Sequence, residues 1–102
     1  MKDKYITIFD NFGYRNQMKK LHEECFELLE AIDTYEDVKG DCCDPEIQDI
    51  FREHVVEEMG DVLNVLYGFV YKYKIREEDL NKNMRIKVDR TLDRIKTKYY
   101  EK

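Results

Sequence analysis

The sequence predicts an all-α protein: a helical bundle of two long antiparallel helices plus a C-terminal helix, completed by oligomerisation. Three observations carry this expectation. Apolar residues recur at alternating spacings of four and three in three separate stretches, the period of helices packed along a seam. No stretch alternates apolar and polar residues over any length, as a half-buried strand does. The stretch from His54 to Tyr73 is apolar on more than one side, which asks for a second subunit to cover it.

Residues Met1 to Phe12 hold a few aromatics and no long periodicity. They read as a lead-in of a helical turn or two that packs its apolar residues on the body. Gly13 marks the change. Tyr14, Met18, Leu21, Cys25, Leu28, Ile32 and Tyr35 then form the seam of the first long helix. Gln17, Lys20, Glu24, Glu27 and Ala31 each precede a seam position by one residue. They make a flanking row whose side chains reach into a cleft between helices. This helix is expected to end near Lys39, with Gly40 as a left-handed C-cap.

Gly40 to Asp44 reads as a short loop. Asp44-Pro45-Glu46 has the order of a helix start: an N-cap Asp, Pro at the first helical position, and Glu in the first turn. The second helix carries Ile47, Phe51, Val55, Met59, Val62, Leu66, Phe69 and Tyr73 on its seam, with Glu58, Asp61 and Val65 beside it. Gly60 and Gly68 lower its propensity by about 1 kcal/mol each, and their size permits close approach of another helix. Ile75 to Asp79 interrupts the pattern. A third helix follows, with Leu80, Met84, Val88, Leu92, Ile95 and Tyr99 in phase, and Lys82, Arg85, Lys87, Arg90, Arg94, Lys96 and Lys98 on its other faces.

The chain has 102 residues, which suits one domain over 1–102. Its net charge of −5, with 40% charged residues, disfavours nonspecific binding to a nucleic acid polymer or an anionic membrane. No apolar run approaches the roughly 18–20 residues of a membrane span. The start, MKDKYITIFDNF, lacks the apolar centre of a signal peptide. Cys25, Cys42 and Cys43 show no metal-type CxxC spacing. Cys42 and Cys43 read as reduced loop thiols and Cys25 as a small core residue on the seam, and the expected location is cytoplasmic.

The chemistry is in the acids. From Met59 to Tyr71 the run is almost wholly apolar, apart from Asp61 and Asn64. An ionised Asp buried there is costly without a cation or hydrogen bonds. Glu58 lies three residues before it, on the same side of the helix. A second acidic pair, Glu24 and Glu27, has the same spacing on the first long helix. One ExxE in so charged a chain is commonly a solvated face. Two pairs on consecutive apolar-striped helices are a different matter. Facing each other, they form a four-carboxylate cluster that repels itself until it binds a divalent cation or protons. Mg²⁺ suits such oxygen ligands, with Mn²⁺ as an alternative. Opposite a triphosphate, the ion neutralises charge and activates water. Lys20, Lys82, Lys87 and Arg90 are candidates to hold the phosphates, and Asn64 is a further substrate-binding candidate.

Glu23-Glu24-x-x-Glu27 followed by Glu57-Glu58-x-x-Asp61-Val62 resembles the signature of the MazG-like, all-alpha nucleoside triphosphate pyrophosphohydrolases. The surrounding LHEECFELLEAI and VVEEMGDVLNVL are similar to that family's helices, and the likeness spans Tyr14 to Tyr73. The resemblance implies that Glu24, Glu27, Glu58 and Asp61 bind magnesium and are the catalytic residues. It implies hydrolysis of a nucleoside triphosphate to the monophosphate and pyrophosphate, by a homodimer or homotetramer. Lys87 and Arg90 are similar to basic residues that follow the second motif. The competing reading is a catalytically silent helical oligomer or interaction module whose acidic pairs are structural. A di-iron bundle is disfavoured, because such sites use Glu-x-x-His and neither His22 nor His54 stands three residues after a Glu.

Overall fold

Four α-helices and no strand make up the described part of the chain: α1 (Lys2–Phe12), α2 (Tyr14–Asp41), α3 (Pro45–Lys72) and α4 (Glu77–Tyr100). The computed structural model describes residues 1–42 and 44–100, the side chains of 99 and 100 excepted. Cys43, and Tyr99 as a seam side chain, therefore lie outside the described residues. The chain divides into two compact units, Met1–Lys72 and Tyr73–Lys102.

In the first unit, α2 and α3 form an antiparallel hairpin joined by a short connection, and α1 packs on both. The lead-in is a full helix rather than a turn or two. Local propensity gives no reason for this; packing does. Phe9 is buried and meets Phe69 edge-on at 4.9 Å between ring centroids. One turn earlier, Tyr5 stacks on Tyr71 at 5.7 Å and lies 6.1 Å from Tyr67. Gly68 faces α1: a Cβ there would stand 3.6 Å from Phe9 Cδ2, an ordinary contact. No atom lies within 4 Å of the equivalent point at Gly60, so that glycine accommodates no neighbour within the described chain. Asp10 and Lys72 form an ion pair between α1 and the end of α3. Gly13, at φ 82° and ψ 158°, separates α1 from α2 in backbone space that is nearly reserved for glycine.

α2 does not end on a left-handed Gly40. It runs through Gly40 to Asp41 and stops at Cys42, which is extended at φ −129°. The Cys42 N–H donates to Val38 O at 2.8 Å, and Gln48 Nε2 donates to Cys42 O at 2.6 Å. These bonds satisfy the helix end, so no left-handed residue is needed. α3 starts as its residues predict, with the Glu46 N–H donating to Asp44 Oδ1 at 2.9 Å. The following break falls at residues 73–76, slightly earlier than expected. Lys74 there takes a left-handed φ of 55°. Arg76 donates to both Asp79 oxygens, at 3.0 and 3.1 Å, across the first turn of α4. On α4 itself, Leu80, Met84, Val88, Leu92 and Ile95 are exposed.

Both long helices are rotated relative to the expected seams. On α2 the buried residues are Gln17, Glu24 and Ala31, with Leu21, Cys25, Leu28, Ile32, Tyr35 and Val38 half-buried. Met18 is 57% exposed. On α3, Val55 and Val65 are buried, Phe51, Glu58, Val62 and Phe69 half-buried, and Met59 and Leu66 exposed. The spacing of four and three survives, but one row of each seam is displaced by one residue. Small Ala31, Val55 and Val65 let α2 and α3 close, and the bulkier Met18, Met59 and Leu66 are left outside. Gln17, Glu24, Ala31, Glu58 and Val65 of the row expected to flank the seam therefore turn inward, while Lys20, Glu27 and Asp61 of that row stay exposed.

Candidate metal centre

The inward row of α2 carries Glu24 to 4% exposure, and the inward row of α3 carries Glu58 opposite. Glu27, one turn after Glu24, is exposed. Each of the three offers a carboxylate oxygen, and these oxygens all lie within 4.8 Å of one another. Glu24 Oε2 and Glu58 Oε2 are buried and have no hydrogen-bond partner. Buried carboxylate oxygens are ordinarily hydrogen-bonded or bound to a cation, since desolvation is otherwise uncompensated. Two such atoms on facing helices, beside a third carboxylate, form a donor set that suits a hard divalent ion. The residues present thus fit a metal.

The electrostatics agree with the geometry. Glu27 is held above the ordinary carboxylate range, first by the charge of Glu24, then by loss of solvent and by Glu58. Lys20 Nζ reaches Glu24 Oε1 at 2.8 Å, and that hydrogen bond and charge hold its ammonium above the usual lysine value. His54 lies 3.8 Å from both Glu58 Oε1 and Glu57 Oε2, beyond a hydrogen bond.

Asp61 stands apart from this group of three. It is exposed, so the cost of burying it in an apolar run does not arise in the described chain. The rotation that turns Glu58 inward leaves Asp61 on the outside, one turn further along α3. Lys20 is at the carboxylates. Asn64 is exposed, and its Oδ1 accepts the Tyr5 hydroxyl at 2.7 Å. Lys20 and Asn64 both border an open cavity of about 660 Å³ lined by α1, α2 and α3. Lys87 and Arg90 are exposed on α4 in the second unit.

Sequence reasoning missed this cavity, and with it Tyr5. The available signal was Gln17, a polar residue seven positions before Glu24 in the same row.

The family model of the MazG nucleotide pyrophosphohydrolase domain matches residues 12–102. Searches of curated proteins and of solved structures give no significant match.

Proposed function

The chain belongs to the MazG nucleotide pyrophosphohydrolase domain family, and from that premise we propose that it hydrolyses a nucleoside triphosphate between the α and β phosphates, with Mg²⁺, releasing a monophosphate and pyrophosphate. The observation that carries this reading is the pair of buried, unpartnered oxygens on Glu24 and Glu58. A helix interface maintained only for stability has no reason to keep them, because apolar residues of similar volume cost less there.

Glu24, Glu27 and Glu58 would hold the ion, with Asp61 as the ligand at the exposed edge. A bound magnesium or manganese ion neutralises phosphate charge and lowers the pKa of bound water. Lys20 already sits against Glu24 and remains half exposed, so its ammonium is free to turn toward a phosphate. The α2–α3 packing presents the carboxylates from rigid helices, which keeps them in place as charge builds in the transition state. Lys87 and Arg90 carry no step of this account.

The same reading includes a homodimer or homotetramer. Val56, Met59, Leu63 and Leu66 form a second apolar row on α3, each 40–50% exposed. A second copy of the chain is the occupant proposed for it.

The test is a turnover screen of nucleoside triphosphates with Mg²⁺, on the wild type and on Glu58→Gln. Turnover by the wild type, reduced by orders of magnitude in Glu58→Gln, supports the assignment. Absence of turnover with every nucleotide would favour the silent helical oligomer.

A further inference from the structure

The cavity between α1 and the α2–α3 pair, about 660 Å³, takes no part in the steps above. Its size falls within the roughly 300–1,000 Å³ of small-molecule sites. Tyr5, Ile8 and Phe12 of α1 form one wall, with Gln17, Asn64 and Val65 opposite. It runs up to Lys20, whose Nζ is 2.8 Å from Glu24 Oε1, so the cavity and the carboxylates adjoin. Most of α1 precedes residue 12, where the matched family domain begins.

Two amides give the cavity its chemistry. Gln17 is only 5% exposed and borders the cavity, and its side-chain amide has no hydrogen-bond partner among the described residues. Asn64 is fixed differently. Its Oδ1 accepts the Tyr5 hydroxyl at 2.7 Å, which leaves its NH₂ to donate. An amide offers one donor and one acceptor side by side, the complement of a nucleobase edge. Aromatic and aliphatic walls suit the faces of a flat ring. A wholly aliphatic group would leave Gln17 unpaired.

We propose that this cavity binds the base end of the nucleotide, with Gln17 pairing to the base edge and Asn64, oriented by Tyr5, as a fixed donor. This rests on the triphosphate reading above and names the part of the site that selects among bases. Gln17 touches the base; Tyr5 is a positioning residue that acts through Asn64.

The experiment titrates the full chain, by calorimetry, with a panel of nucleoside monophosphates and separately with Mg²⁺ and inorganic tripolyphosphate. The wild type should prefer one base at least tenfold. Gln17→Leu should lose at least tenfold in affinity for that monophosphate and keep its affinity for Mg²⁺–tripolyphosphate. Tyr5→Phe, a gentler change, should narrow the preference between bases without altering tripolyphosphate binding, which loss of packing alone would not do. Unchanged base ranking in both variants overturns the proposal. So does an equal loss of both ligands, or a change in molar mass without a change in ranking. If turnover is absent but Gln17-dependent monophosphate binding persists, the metal reading falls and the cavity stands. If turnover holds and ranking ignores Gln17, the cavity assignment alone falls.

Discussion

Glu58 holds a charge where the fold gives it little return. Its Oε2 is buried without a partner, and the carboxylates of Glu24 and Glu27 face it. Leaving a buried polar group unpaired costs about 1–3 kcal/mol. Glu58→Gln removes the charge and keeps the shape, so in metal-free buffer it should raise the Tm by several degrees, at ~4–8 °C per kcal/mol. Mg²⁺ should stabilise the wild type, by about 2.7 kcal/mol at a hundred times Kd, and the variant far less. A Tm that ignores both Mg²⁺ and the substitution would remove the metal site. The pH dependence follows from Glu27. Its folded pKa is raised above the ordinary 4.5, chiefly by Glu24. In the window above 4.5 the folded state therefore binds more protons than the unfolded one. Its contribution to stability is complete below 4.5 and is lost as pH rises through the folded value. Denaturation midpoints in chelator should fall across that window, and fall less in Glu27→Gln. Equal slopes would contradict the coupling. The spacing in the sequence already singled out Glu24, Glu27 and Glu58, the three acids whose carboxylates the fold brings together. It did not show that Asp61 would stand apart from the other three, because a one-residue rotation of α3 decides that.

The helices form largely where periodicity and capping put them. Asp44 caps α3 as its position predicts. Which row faces inward was not legible, since hydrophobicity alone selects Met18 and Met59 over Glu24 and Glu58. The actual interior follows residue size, which periodicity does not record. α1 was underestimated for a related reason: its helix depends on Phe9 and Tyr5 meeting α3, a contact between residues far apart in sequence. Gly68 faces α1 at this contact. A methyl group there would meet Phe9 at 3.6 Å, an ordinary contact, and would gain about 1 kcal/mol of helix propensity. Gly68→Ala should therefore keep the fold and raise the Tm by ~4–8 °C. Gly68→Leu should lower the Tm and increase proteolysis within α1. If both variants melt alike, α1 does not pack as closely as described.

At the scale of the whole molecule, the exposed row Val56, Met59, Leu63 and Leu66 is what a 102-residue chain leaves uncovered. Light scattering at micromolar concentration should give a dimer or tetramer, and Leu63→Glu should shift the mass toward monomer. A wild-type monomer would leave that row without its proposed occupant. No helix among the described residues is long and apolar enough to cross a membrane.

The central claim is the bond that is broken. ³¹P NMR of a nucleoside triphosphate turned over by the wild type with Mg²⁺ reads it directly. Cleavage between the α and β phosphates predicts nucleoside monophosphate and pyrophosphate, appearing together at equal rates and absent in chelator. A nucleoside diphosphate with orthophosphate as the first products would contradict the account.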